Sequence, residues 1–344
     1  MSPRPYVGNG HGLPSRRPLV SVVTPFYNTA DYLEECIESI LDQSYEHWEY
    51  ILADNCSTDD SGSIAQRFAA RDPRIRFIRE KDFVGQVENY NRALRYISPE
   101  SKYCKIVQAD DWIYPRCLEE MVAAAEAGPN VGLVSSFSLY GSDVGHGGLP
   151  IDAGPVYPGR DAVRATLADN RALFGSPTCV MYLSDFVRGH DPFFSVSSDY
   201  YEDAEVCFFI LKEHDFGFVP QVLTFNRRDN DSIWTRLEQY GPRLLHRLLF
   251  LYKFGPDFMD SEELFLLISE TERTYYDFLA REALRGYHKD FWEFHVRGLS
   301  TAGKQLSRRR VAGRCVLVLA DAVVTPKRIL AFFWRRLRKS GSSS

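Results

Sequence analysis

The stretch YCKIVQADDWIYP, residues 103–115, decides how the rest of the chain is read. An apolar run through Ile106 and Val107 ends on two adjacent carboxylates, Asp110 and Asp111. Trp112, Ile113 and Tyr114 follow, and Pro115 stops the segment. An apolar, β-branched run of this length predicts a buried strand over 103–108. Two like charges side by side at a strand end repel each other, more so as their surroundings dry out. An isolated Asp pair is as much at home on a solvated strand end or in a helix cap. After a buried strand, a divalent cation is the other way to keep it. Hard oxygen ligands suit magnesium or manganese, which also take substrate phosphates as ligands.

Outward from this stretch, strands and helices alternate. LVSVVT (19–24), WEYILAD (48–54), IRFI (75–78) and VGLVSSF (131–137) read as further strands. Helices are expected over ADYLEECIESILDQ, where Leu33, Ile37, Ile40 and Leu41 share one face, and over 63–72, 87–96 and about 115–127. This rhythm predicts βαβ units and an α/β, Rossmann-like, mainly parallel sheet flanked by helices. Ligands of such sheets bind beyond the carboxyl ends of the strands. Pro25, Tyr27 and Asn28 follow strand one, Asp54 ends strand two, and Asp110 and Asp111 follow strand four, so three strand ends present polar groups to one crevice.

The second half is less regular. Residues 138–160 are Gly-rich and read as a long loop over the site. Strands are expected at 176–183 and 216–225 with a helix, 199–214, between them. Helical patterns then cover 262–284 and 289–299. These divisions give a flexible leader over 1–18 and a main domain over 19–235. Within that domain, 19–137 is the regular half and 138–235 the less regular one. A helical extension over 236–300 and a basic amphipathic tail over 301–344 complete the chain.

Four motifs, SVVTPFYN, ILADNCSTDDS, VGQVENYNRAL and QADDWIYPRCLEEMV, occur in this order within residues 21–122. Together they resemble the nucleotide-binding half of the family 2 glycosyltransferases, which have the GT-A fold. The resemblance implies transfer of a sugar from a nucleoside-diphosphate sugar, UDP-sugar first, to a saccharide or lipid-linked acceptor, with inversion at the anomeric carbon and Mn2+ or Mg2+ as cofactor. It implies that Asp54 accepts a hydrogen bond from the base, that Pro25 and Tyr27 line the base pocket, and that Asn91 belongs to the donor side. Asp110 then lies near ribose and metal, and Asp111 binds the metal. The motif's first position, commonly Asp, is Gln108 here, so no carboxylate stands there for a ribose contact. The catalytic base falls on Asp203 of YYEDAEV, 92 residues after Asp111. Read without the resemblance, Glu202 and Asp203 are acidic residues favoured at a helix start. The resemblance makes 19–137 the nucleotide-binding half and 138–235 the acceptor half. In TFNRRDNDSIW, where it implies an Arg and then a His near diphosphate and metal, Arg227 and Arg228 are candidates to clamp a pyrophosphate and Asp229 to replace the His as a metal ligand.

Composition narrows the alternatives. Seven cysteines without a C-x-x-C pair exclude a disulfide framework or zinc site of the usual spacing and indicate a cytosolic protein. No apolar run approaches 20 residues. The net charge of −5 is uneven: residues 301–344 hold eleven Lys or Arg against one Asp, a net +10 that leaves −15 on the remainder. With Phe332, Phe333 and Trp334, the segment 308–339 is expected to meet an anionic membrane surface, as a peripheral contact on its cytosolic face. Nucleic acid is not expected as a partner of an acidic catalytic region. Two rivals remain at this point. One is a non-catalytic nucleotide-sugar sensor or scaffold. The other is a sugar nucleotidyltransferase, whose Gly-rich, Arg-containing loop TPFYNTADYL lacks.

Overall fold

A computed structural model describes residues 17–145, 154–169, 171–196, 201–228 and 237–324. The chain divides into two compact units, Met1–Asn230 and Asp231–Ser344.

The first unit is a mixed sheet with strand order β3-β2-β1-β4-β9-β6-β10-β5. At its centre β1 (Leu19–Phe26) lies parallel to β2 (Trp48–Asp54) on one side and β4 (Ser101–Ile106) on the other, and β3 (Ile75–Arg79) extends the parallel half. Strands covered on both faces read as continuous apolar runs, which is why LVSVVTPF is buried almost throughout. Helix α1 (Ala30–Leu41) buries Leu33, Cys36, Ile37 and Ile40 against this sheet. Truncating such a fully buried residue costs about 2–5 kcal/mol. Helices α2 (Ser61–Ala69) and α3 (Gln86–Leu94) complete the crossovers. After β4 come the two-residue strand β5 (Trp112–Ile113) and helix α4 (Cys117–Ala125).

The stretch expected to be one long loop, 138–160, is in part regular. Strand β6 (Val131–Tyr140) runs into it, β7 (Asp143–Gly145) folds back on β6, and β8 (Val156–Tyr157) adds to β10 (Asp215–Asn226). Gly159 then opens helix α5 (Gly159–Asp169). A Cβ at Gly159 would stand 1.9 Å from the His214 carbonyl oxygen, so this glycine marks close backbone packing, not a flexible linker. The expected strand 176–183 is shorter as well. Pro177–Cys179 form a 3-10 turn, and only β9 (Val180–Leu183) pairs, antiparallel to both β4 and β6. Helix α6 (Ser184–Gly189) follows, and the helix expected at 199–214 is α7 (Glu202–Ile210).

The second unit is helical: α8 (Pro242–Phe258), α9 (Ser261–Arg285), α10 (Lys289–Thr301) and α11 (Arg308–Val324). Asp260 caps α9 by accepting from the amides of Glu262 and Glu263, and Gly286, at φ 78°, ends it in the left-handed conformation that glycine adopts without strain. Helix α11 lies along α9 through ion pairs from Arg310 to Glu272 and from Arg314 to Asp277. Among the described residues no helix is long and apolar enough to cross a membrane.

Candidate active site

The parallel strands bring their carboxyl ends to one edge. Phe26 on β1 pairs in register with Asp54 on β2. The turns beyond are stitched together. The Asn28 amide donates to Ser57 Oγ at 3.0 Å, the Thr58 amide donates to Asn28 Oδ1 at 2.8 Å, and the Asn55 amide donates to the Phe26 carbonyl at 2.9 Å. Asn28 and Cys56 take positive φ, 51° and 65°, to make these turns. Asn28 is a residue type that tolerates the left-handed region; Cys56 is there at a cost.

Asp54 is completely buried. Its Oδ1 accepts from the Ser57 amide at 2.8 Å, but among the described residues its buried Oδ2 has no hydrogen-bond partner, and Arg79 Nη1 stops 3.6 Å away. A buried carboxylate oxygen left open in this way is costly unless something else donates to it. A Cβ at position 62 would come within 3.2 Å of Oδ2, so Gly62 keeps this space clear. Tyr27 and Phe83 put exposed rings 4.7 Å apart. Asn55 fixes the loop behind Phe83 through both ends of its amide, bonded to the Val84 carbonyl and amide. Pro25 sits in the last part of β1, opposite Ala53.

Beyond β4 the chain turns through Gln108 and reaches the carboxylate pair. Asp111 is buried, and both its oxygens are held. Oδ2 accepts from Thr178 Oγ1 at 2.6 Å, and Oδ1 accepts from the Arg227 amide at 3.0 Å. Burial, and next the charge of Asp110, push the Asp111 carboxyl up to about 7. Burial also raises Asp110, and the Arg227 guanidinium partly offsets this. Behind the pair, Lys105 is fully buried with its ammonium donating to the Thr178 and Val180 carbonyls. Gln108, at the position without a carboxylate, donates from its backbone amide to Thr178 Oγ1 at 3.0 Å. Thr178, Lys105 and Phe83 were not singled out from the sequence, and Arg227 was expected with Arg228 beside a pyrophosphate. Lys105 had a visible signal, a charge inside the apolar run YCKIV; Thr178 had none.

The two arginines after β10 differ. Arg227 donates from Nε to the Asp110 carbonyl at 3.0 Å and from Nη2 to Glu35 at 2.6 Å, and its guanidinium lies over the Trp112 ring. Arg228 instead pairs with Asp143 at 2.8 Å, half exposed. Asn91 is buried, and its amide is occupied at both ends by the backbone of Phe194. It therefore holds the backbone at Phe194. Asp203 stands in the first turn of α7, where its Oδ1 accepts from the Ala204 amide at 2.7 Å. Burial pushes its carboxyl up to about 6, within electrostatic reach of Tyr182 and Cys207. Asp229 lies outside the described residues.

A divalent cation fits this chemistry. Each Asp111 oxygen makes one hydrogen bond and keeps lone-pair capacity, Asp110 adds a second hard oxygen donor, and the drying that raises both carboxyls is relieved by a positive ion. No group of three or more His, Cys, Asp or Glu is gathered among the described residues.

The sequence profile of glycosyl transferase family 2 matches residues 21–189. The putative teichuronic acid biosynthesis glycosyltransferase TuaG of Bacillus subtilis is 40% identical over 95 residues, 28% of this chain and 37% of that protein. The glycosyltransferase GlyG of Streptococcus pneumoniae is 39% identical over 103 residues, 30% of this chain and 34% of that protein. The matched stretch thus spans little more than a third of either relative. The fold extends further. The crystal structure of S. aureus TarS 1–349 with UDP-GlcNAc superposes with a TM-score of 0.60 at 14% identity, over 85% of this chain and 82% of that one. A mannosyltransferase from Pyrobaculum calidifontis, in complex with GDP-Man and Mn2+, superposes with a TM-score of 0.52 at 19% identity, over 92% and 84%. With its sheet, its strand-end carboxylates and these matches, residues 21–189 carry a glycosyl transferase family 2 domain, and the chain has the GT-A fold.

Proposed function

We propose that the protein transfers a sugar from a nucleoside-diphosphate sugar, UDP-sugar in the first instance, to a saccharide or lipid-linked acceptor, with inversion at the anomeric carbon. The observation that carries this reading is the open Oδ2 of Asp54 together with the desolvated Asp110–Asp111 pair, both at carboxyl ends of the parallel strands. Asp54 accepts a hydrogen bond from an N–H of the base, with Tyr27 and Phe83 beside it. Asp110 and Asp111 hold a magnesium or manganese ion, which when bound offsets charge growing on the leaving diphosphate. Asp203 accepts the proton of the acceptor hydroxyl as its oxygen attacks the anomeric carbon from the face opposite the diphosphate. A carboxyl near 6 suits that task, being ionised at neutral pH and yet more basic than an ordinary aspartate. Asn91 and Thr178 act as positioning residues, one through Phe194 and the other through Asp111. The names of the relatives favour cell-surface polysaccharide assembly, and the +10 tail favours peripheral work at the cytosolic face of a membrane.

Asp203→Asn tests the assignment. Donor binding, measured by calorimetry with UDP-GlcNAc and manganese, should be retained, while transfer falls by about 10²–10⁴. Unchanged turnover would remove Asp203 from the mechanism. Wild-type protein that binds donor but never releases nucleoside diphosphate, with or without manganese, would make it a sensor and not an enzyme.

A further inference from the structure

The helical unit carries a basic cavity that sugar transfer does not use. It lies between α8, α9 and α11, encloses about 470 Å³, and is lined by Leu244, Arg273, Asp277, Phe278, Arg281 and Arg314 among others. Among the described residues Asp277 is its only carboxylate, and Arg314 occupies that carboxylate with two hydrogen bonds of 2.5 Å. Arg273 and Arg281 stand one turn before and one turn after Asp277 on α9, so all three side chains share a helix face. Both arginines are exposed, and neither makes an ion pair among the described residues. Three guanidinium groups against one carboxylate leave the cavity with a net charge of +2, between the apolar walls of Leu244 and Phe278.

Guanidinium groups pair with phosphate oxygens through two parallel N–H donors, which makes a phosphate the fitting ligand chemistry. The surroundings choose among phosphates. Helix α11, which supplies Arg314, exposes Arg308 and Arg309 at its start. It exposes Val316, Leu317 and Leu319 just beyond Arg314. A helix with exposed basic and exposed large apolar residues suits the boundary between head groups and acyl chains. The chain's own end is the wrong occupant, because residues 325–344 bring six Lys or Arg and no Asp or Glu to an already positive site.

We propose that this cavity binds the phosphate of an anionic lipid head group and docks the helical unit on a membrane surface. The assignment is independent of the transfer chemistry. The test uses the full chain and sedimentation with vesicles of phosphatidylcholine, with and without phosphatidylglycerol. Wild type should sediment only with the anionic vesicles, and Arg273→Glu/Arg281→Glu should bind them at least about tenfold more weakly, with an unchanged melting temperature because both residues are exposed. Arg308→Glu/Arg309→Glu removes the same charge outside the cavity and should weaken binding distinctly less. Equal losses in the two double variants would overturn the proposal, since binding would then follow overall charge. Binding of inorganic pyrophosphate that depends on Arg273 and Arg281, together with no sedimentation of wild type, would overturn the lipid source.

Discussion

Both units bury polar groups, and they treat them in opposite ways. In the helical unit His295 is fully buried and closed on itself. Its Nε2 lies 3.0 Å from the Tyr240 carbonyl and so must donate, which leaves Nδ1 to accept from the Tyr275 hydroxyl at 2.9 Å. The ring is a neutral imidazole with both nitrogens paired. In the sheet unit the strand ends gather negative charge instead. Asp54 keeps an open oxygen, and Asp110 and Asp111 face each other's charge with their carboxyls raised by burial. Closed networks hold a core together. Open ones cost stability and persist where a ligand completes them.

The sharpest way to break this contrast is Asp111→Asn. If the pair is open for a ligand, removing one charge should lower turnover by about 10²–10³. In chelator, on the alkaline side of pH 7, the melting temperature should not fall, because a desolvated charge has been removed. A lower melting temperature with intact turnover would make the pair structural. The pH profile is the next test. Asp203 must be ionised to take a proton, so turnover should drop about tenfold per pH unit below about 6 and level off above it. Its folded pKa lies above the ordinary carboxylate value, so ionising it costs the fold. Stability from this group is lost as pH rises through about 6, while activity is gained.

The closed network predicts the reverse pattern. His295→Leu orphans the Tyr240 carbonyl and the Tyr275 hydroxyl, and should cost about 2–5 kcal/mol in denaturant titration. Burial holds the His295 imidazole down at about 4, against an ordinary value of 6.5. As pH falls below about 6.5 the unfolded state takes up the proton first. Stability is therefore lost from there down to about 4, reaching about 3 kcal/mol. An acid transition that the His295→Leu substitution leaves unchanged would show that this ring is not its source.

The sheet unit was more legible in sequence for a physical reason. Strand ends in a parallel sheet are set by local apolar runs, so Asp54, Asp110 and Asp111 could be placed at one edge from spacing alone. Thr178 and Arg227 reach Asp111 across 67 and 116 residues, and nothing local in SPTC or FNRR announces that. Asn91 stood in the right motif, but its partner is the Phe194 backbone, 103 residues away. The glycines of 138–160 read as a loop because a glycine required by close packing, such as Gly159 against the His214 carbonyl, has the same letter as one that frees a turn.

The smallest expected effect refines the open side of the comparison. Phe83 is exposed, stands against Tyr27, and rests on a loop that Asn55 ties to the end of β2. If a base sits between this ring and Asp54, stacking tolerates any base while the carboxylate selects for an N–H. Phe83→Ala should therefore raise the dissociation constants of UDP and GDP by a similar factor, about five, from roughly 1 kcal/mol of stacking. Turnover at saturating donor should stay level, since binding lost equally from ground and transition states leaves it unchanged. Asp54→Ala should instead change the ratio between the two nucleotides. If Phe83→Ala shifted that ratio and Asp54→Ala did not, the selecting group would be the ring, and the open oxygen of Asp54 would need another partner.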